Sequence, residues 1–414
     1  MDGYVVVLGA SVDQLYLIKS IQELGLKTLV IDKKKNSPGF KLADRYLNLD
    51  FIKEKILAKR LIKFKKFHKI LGVITMGCDV PQIIINLKKK IGLKINMPLI
   101  SALISKDKVL MKNFLKKNSF KTAPFLVSRD KKKITDFWKK NKIKTGVLKL
   151  TRQSGSRGVL HIKDVNEISP SLKKLKSIAN DKIIFEEYLK GSQISTESLI
   201  INKNKIITPG FVDRDYSLNK FLYPNMIENG AINPSKNISY KKKIDFIIRR
   251  LAKKLKITNG VIKGDFVIYR KKPYLIEFAT RLSGGDFSES LVPFGQGINY
   301  VKEVVRLEVY GKVEEKMLKD KFKKYVSNKY FFLKEGKLQK IINLEKVKHI
   351  KGLKKIIIFQ KKNSVIKEID QHKKRSGVFI VTGETRQKLY KNINKIYENL
   401  IFQVNGKKIK GILN

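Results

Sequence analysis

The sequence predicts a mixed α/β and α+β protein, on three observations. Residues 1–95 alternate apolar strands with amphipathic helices, the pattern of a parallel α/β sheet. A middle stretch is dominated by β-prone runs around a Gly/Ser loop and a hairpin that carries two carboxylates. From residue 325 to the end, short strands and a final helix read as a smaller α+β unit.

Tyr4-Val5-Val6-Val7-Leu8 is a strand apolar on both faces, and Gly9-Ala10-Ser11 turns the chain. Leu15, Ile18, Ile21 and Leu24 mark one helical face that Gly25 closes as a C-cap. Lys27 to Asp32 returns as the second strand. Leu47-Asn48-Leu49, a helix from about Ile52, the strand Gly72 to Thr75 and a helix after Pro81 continue the alternation. Lys106 to Lys117 reads as one helix, followed by an extended connection through Pro124. Strands follow at Gly146 to Leu150, Val159 to Ile162 and Lys182 to Glu186, and β-prone runs fill Ile194 to Asp213. A helix spans roughly Tyr240 to Lys256, then two strands run Gly264 to Ile268 and Pro273 to Glu277. No repeat of solenoid period is present.

A length of 414 residues with 42% apolar content describes a globular chain of two to four units. Met1-Asp2-Gly3-Tyr4 lacks the basic start of a secretory signal, and no run of eighteen apolar residues predicts a membrane span. The lone Cys78 excludes an internal disulfide or a cysteine-based zinc site and suits a reducing, cytoplasmic setting. A net charge of +54 raises a nucleic-acid partner. Lys, however, outnumbers Arg by roughly six to one and is scattered from Lys33-Lys34-Lys35 to Lys407-Lys408. Such lysines make a solvated surface, whereas Arg is the residue of bidentate phosphate contacts, so specific nucleic-acid binding is not expected.

Gly9-x-Ser11-x-x-Gln14 followed by Asp32 has the layout of a dinucleotide site with only the first of its three glycines. It reads as a Rossmann-like unit without NAD, in which Gly9 only makes the turn. The stretch Thr151-Arg152-Gln153-Ser154-Gly155-Ser156-Arg157-Gly158 follows a strand carrying Lys149. Small residues there expose backbone N–H groups that can wrap a polyphosphate, and the lysine adds a fixed charge. An ordinary Gly/Ser hairpin has the same composition, and no Walker motif is present. Asp265 and Glu277 lie twelve positions apart on adjacent strands, a spacing that suits a hairpin with both carboxylates on one face. Hard Mg²⁺ prefers a few carboxylates plus phosphate oxygens. Acids facing nearby lysines are the simpler alternative, but Glu277 stands within Leu275-Ile276-Glu277-Phe278-Ala279, where a charge must be paired or ligated. Arg281 and Gly284-Gly285 follow at once.

Lys108, Lys149, the Gly/Ser loop, Glu186-Glu187-Tyr188-Leu189 and the Asp265/Glu277/Arg281 set occur in an order that resembles the ATP-grasp superfamily. The nearest look is to the carboxylate-amine ligases, including L-amino-acid ligases, with wider similarity to biotin carboxylase and carbamoyl-phosphate synthetase. The resemblance implies an N-terminal Rossmann-like domain over 1–95. It implies an ATP-grasp domain over 96–320, with a lid over about 122–186, and a C-terminal domain over 325–414. Lys108 and Lys149 would contact ATP phosphates, and Ser154, Gly155, Ser156 and Gly158 would form the mobile loop over them. Glu186, Glu187 and Leu189 match the adenine hinge, and Glu197 or Gln193 the ribose position. Asp265 and Glu277 match ligands of Mg²⁺, with Mn²⁺ as an alternative. Arg281 matches the arginine that steadies the carboxylate and acyl phosphate, with Lys149 offsetting charge during transfer. Many relatives carry Asn two positions after the second metal Glu, and here that position is Ala279.

The function this implies is an ATP- and Mg²⁺-dependent ligase that phosphorylates a small carboxylate and passes the acyl group to an amine, releasing ADP and phosphate. A bicarbonate-using carboxylase-like enzyme and a non-catalytic ATP- or nucleic-acid-binding protein are the alternatives. Dimers are common among similar proteins, so a homodimer is open. The stretch from Asp213 to Tyr216 through Asn233-Pro234 reads either as a specificity loop or as surface disorder.

Overall fold

The structure, a computed structural model, describes residues 3–413; Met1 and Asp2, which open the reading of the N-terminus, and Asn414 lie outside the described residues. Among the described residues the strands form four sheets. The first is parallel, with Arg45–Asn48, Lys27–Asp32, Tyr4–Leu8 and Ile70–Ile74 in that spatial order. Every residue of Tyr4–Leu8 is buried, as a strand covered on both faces requires. Leu17, Ile18 and Ile21 of the helix Leu15–Gln22 pack on one face, and Leu57, Leu61, Ile83 and Leu87 from Glu54–Lys65 and Pro81–Ile91 pack on the other. Helix Leu15–Gln22 is capped by Glu23, so Leu24 falls beyond it and Gly25, at φ +71°, shapes the exit turn instead of capping. Gly9 turns the chain at φ +100°, and the Asp32 carboxylate accepts from Ala10 N at 2.9 Å and Lys34 N at 2.9 Å. Asp32 is thereby spent on its own loops.

Residues 99–117 form two helices, Leu99–Lys106 and Lys108–Lys117, where the sequence predicts one over 106–117. The break is at Asp107, whose extended backbone ends the first helix and whose carboxylate accepts from Val109 N (2.9 Å) and Leu110 N (3.2 Å) to start the second. Residues 125–187 then make a separate antiparallel sheet in the order Phe125–Val127, Ile183–Glu187, Gly146–Leu150, Val159–Ile162. It has its own core, with Ile134, Trp138, Leu148, Leu172 and Phe185 at its centre. The covering helices Lys131–Lys140 and Ile168–Ile178 escape the sequence reading because a few apolar residues per turn stand among lysines.

The largest sheet is antiparallel and eight-stranded: Lys272–Ala279, Gly260–Tyr269, Ser192–Ile201, Lys205–Asp215, Gly230–Asn233, Tyr325–Phe331, Gly377–Gly383 and Leu353–Ile358. Its last three strands come from the end of the chain and join through the pairing of Gly230–Asn233 with Tyr325–Phe331. Helix Lys241–Lys254 backs one face through Ile244, Ile248 and Leu251. On the other, Tyr300–Tyr310 wedges Val301, Val304 and Val305 against Val5 and Val7 of the first sheet, so one core fixes the two sheets together. The fourth sheet, Val365–Ile366, Gly336–Ile342, Ile401–Val404 and Lys407–Lys410, packs with helix Arg386–Asn399 around Phe331, Phe379, Tyr397 and Phe402. No helix among the described residues is long and apolar enough to cross a membrane.

Gly230, at φ +128°, stands where the chain-terminal strands join the large sheet, and a Cβ there would meet the Asn328 carbonyl oxygen at 2.0 Å. Replacing it by Ala is expected to cost about 3 kcal/mol, through overpacking against backbone and an unfavourable φ. Denaturant unfolding of Gly230→Ala checks this, and an unchanged midpoint contradicts it.

Candidate active site

Two residues, Arg270 and Lys271, both at positive φ (48° and 59°), turn the hairpin between Gly260–Tyr269 and Lys272–Ala279. The register they set pairs Phe266 with Leu275, and continued unbroken it would put Asp265 opposite Ile276. A bulge between Asp265 and Phe266 advances the pairing by one and sets Asp265 opposite Glu277, both on one face. Ser195 Oγ donates to Asp265 Oδ1 and Lys263 Nζ to Oδ2. Glu277 is left open, its side chain 41% exposed and 3.7 Å from Lys108 Nζ. The Lys108 ammonium, against the opposing effect of burial and with help from Lys263, Lys149 and Arg281, holds its carboxyl at about 2.

Lys108 also donates to the Gln153 carbonyl at 2.8 Å, which ties the helix Lys108–Lys117 to the Gly/Ser loop. Lys149 lies 3.2 Å from Glu186 Oε1, and Lys112 lies 2.8 Å from Glu186 Oε2 and donates to Thr122 Oγ1 at 2.7 Å. Burial pushes the Glu186 carboxyl up, but Lys112 and Lys149 outweigh it and hold it below the usual range. Both Glu186 oxygens are therefore occupied by lysines, so its side chain positions cations and does not stand open to a base. Glu187 is half-buried, and burial raises its carboxyl. Leu189 is buried with Ala123 and Val267, which makes an apolar floor beside the hinge.

Ser154, Gly155, Ser156 and Gly158 form a loop whose base is pinned by Asp181, which accepts from Thr151 Oγ1 (2.9 Å) and Arg152 N (2.7 Å). Gly155 and Gly158 take φ +65° and +69°, and Ser156 is left-handed as well at +61°. His372 holds the loop tip: its backbone N–H donates to the Gly155 carbonyl at 2.9 Å and its ring Nε2 lies 2.8 Å from Ser156 Oγ. Burial, then the charges of Arg375, Arg214 and Lys263, push the His372 imidazole well below its ordinary value and keep it neutral.

Arg281 binds Asp79 through Nε (2.7 Å) and a terminal nitrogen (2.6 Å), which brings the Gly77-Cys78-Asp79 turn of the first sheet into the site. The expectation of Glu197 or Gln193 at one position divides. Gln193 is half-buried on the face that carries Ser195, toward the hinge. Glu197 is fully buried four residues on, accepting from Ser283 N at 3.1 Å beneath the turn after Arg281, and has no surface for a ribose. As a sugar contact Glu197 is corrected: it is a packed, internal carboxyl.

Sequence reasoning missed Lys112, Lys263, Asp79 and His372 as parts of the site. Lys112 was detectable as the residue four after Lys108 on one helical face, and Lys263 as the residue two before Asp265 on one strand face. Neither stands out in a chain so rich in lysine. Asp79 and His372 arrive from distant segments and carry no local signal. Asp265 and Glu277 offer hard oxygen donors, opposed on one face, that fit one Mg²⁺. Ala279 offers no donor, so the residues do not fit a second ion held in the same way.

Burial pushes the Glu197 carboxyl up to about 7, and its Oε2 has no hydrogen-bond partner among the described residues. A carboxyl raised on folding stabilises fully below its unfolded value of 4.5, and that contribution is lost as pH rises through about 7. Glu197→Gln is therefore expected to gain stability relative to wild type between pH 5 and pH 8, by at most ~3 kcal/mol. Paired thermal melts across that range check it, and a pH-independent difference refutes it.

Residues 106–286 match the family model for the phosphoribosylglycinamide synthetase ATP-grasp (A) domain. Over nearly the whole length the fold is similar to an L-amino acid ligase from Bacillus licheniformis (16% identity, 96% of this chain and 98% of that one, TM-score 0.80). It is similar as well to phosphoribosylglycinamide synthetase from Anaerococcus prevotii (19%, 98% and 100%, TM-score 0.72). A third similar structure is the biotin carboxylase domain of Hydrogenobacter thermophilus 2-oxoglutarate carboxylase, solved with MgADP and bicarbonate (15%, 98% and 90%, TM-score 0.72). At these identities the structural likeness is one of fold, and the sequence match identifies residues 106–286 as an ATP-grasp domain.

Proposed function

We propose that this chain is a carboxylate-amine ligase. A substrate carboxylate oxygen attacks the γ-phosphorus of ATP, the bond to the bridging oxygen breaks with its electron pair going to ADP, and an acyl phosphate forms. An amine nitrogen then attacks the acyl carbon, phosphate leaves, and the nitrogen gives up a proton. The observation that carries this reading is the convergence of Asp265, Glu277, Lys108, Lys149 and Arg281 on one face of the large sheet, beneath a loop that can cover them.

Asp265 and Glu277 would hold Mg²⁺, which when bound neutralises phosphate charge during in-line transfer. Lys108 and Lys149 reach the same space from the helix Lys108–Lys117 and the strand Gly146–Leu150, each beside a carboxylate. Arg281, aligned by Asp79, presents a planar cation to the reacting carboxylate and to the acyl phosphate. Residues 122–186 act as a lid, and their loop, seated on His372, keeps water from an intermediate whose hydrolysis would waste ATP. Gln193, with Glu187 and Leu189, lies toward the nucleoside end.

A screen of ADP release over amino acids, small carboxylates and bicarbonate, with and without amines, tests the proposal. The expected result is release that requires both an acid and an amine and falls by roughly 100-fold in Glu277→Gln. Equal turnover of wild type and variant with every substrate sinks the assignment of this site. Bicarbonate-dependent release that needs no amine replaces the proposal with a carboxylase-like reaction.

A further inference from the structure

Lys263 stands opposite Ala279 in the register of the hairpin, one pair beyond the pairing of Gly264 with Phe278 and two from that of Asp265 with Glu277. Side chains alternate along a strand, so Lys263 and Asp265 share a face and Ala279 lies on it beside Glu277. The Lys263 side chain is largely buried, and its ammonium bonds Asp265 Oδ2. Among the described residues no third His, Cys, Asp or Glu joins the two carboxylates in a metal-binding group.

One Mg²⁺ needs little more than this pair, because it takes one or two carboxylates and completes its octahedron with phosphate oxygens and water. A second divalent ion needs further oxygen donors and relief from repulsion by the first. Here the position that would supply a donor carries a methyl group, and the space before it is reached by an ammonium. We propose that Lys263 is the resident cation of this site: the nucleotide is bound with a single divalent ion, and the Lys263 ammonium supplies fixed positive charge beside Asp265 in place of a second one. The inference rests on the nucleotide reading above and adds the stoichiometry and the residue that sets it.

The test counts Mn²⁺ bound to the full chain by electron paramagnetic resonance at saturating adenylyl imidodiphosphate, with bound nucleotide measured in parallel by equilibrium dialysis. Wild type and Lys263→Arg are expected to bind one Mn²⁺ per bound nucleotide, and the double variant Lys263→Ala/Ala279→Asn two. Two ions in wild type, or one in the folded double variant, overturn the inference while the nucleotide reading stands. Absence of nucleotide binding overturns both. If the double variant does not fold, Lys263→Gln alone decides: its Mn²⁺ affinity in the nucleotide complex is expected to rise about tenfold on loss of a neighbouring unit charge, and an unchanged affinity overturns the proposal.

Discussion

The site depends on one irregularity in one hairpin. Without the bulge after Asp265, the tight turn at Arg270-Lys271 would leave Asp265 facing an apolar side chain and Glu277 facing Gly264. With it, two carboxylates share one face, and every cation of the site is arranged about them. Lys263 and Ser195 occupy Asp265, while Lys108 stands off Glu277 at 3.7 Å, close enough to hold it ionised and far enough to leave room beside it. A carboxylate kept charged yet partly open is what a hard cation needs. Glu186, buried with a lysine on each oxygen, serves the scaffold instead.

Burial sets a few lysines apart in a chain whose net charge is +54, Lys112 and Lys149 in the site and Lys88 and Lys329 outside it. Lys112 is 2% exposed and survives there because Glu186 faces it across 2.8 Å. An unpaired ammonium in that position would shed its proton or unfold its surroundings. Glu186 accepts from Lys149 as well, so a single buried acid sets two cations from different elements at fixed positions. Exposed lysines elsewhere are screened by solvent and do little to shape this field.

Most strands were legible because apolar runs such as Val5-Val6-Val7 and Leu29-Val30-Ile31 are short, rich in β-branched residues and bounded by turn residues such as Gly9 and Gly25. The carboxylate pair and Lys149 were legible because each breaks such a run at a place where a charge needs a reason. Lys112 was hidden by its many exposed counterparts, and the break at Asp107 by helix-forming residues on both sides. Glu197 and Gln193 share a strand face, so the sequence did not separate them. Their different depths come from the turn at Ser283, which is remote in the chain. The continuation of the large sheet into its last three strands rests on Gly230–Asn233 meeting Tyr325–Phe331 across some ninety residues, a pairing with no local mark.

The division of the molecule into cores bears on how such a site can open. The Asp265–Glu277 hairpin shares its sheet with the chain-terminal strands, and the helix Tyr300–Tyr310 locks that sheet to the first one. The sheet of residues 125–187 packs within its own apolar cluster. It is tied to the rest at several places: Lys108 donates to the Gln153 carbonyl, Tyr223 OH donates to Glu167, His161 N donates to the Pro224 carbonyl, and two further ties differ in strength. Near the hinge, the Lys112–Glu186 pair is buried, and separating it would strand two charges. At the far end, Ser156 and Gly155 meet His372 through two neutral hydrogen bonds, each worth roughly 1 kcal/mol net. The neutral bonds at His372 therefore cost less to break than the buried Lys112–Glu186 pair, which fixes Lys149 more firmly than the tip of the Gly/Ser loop.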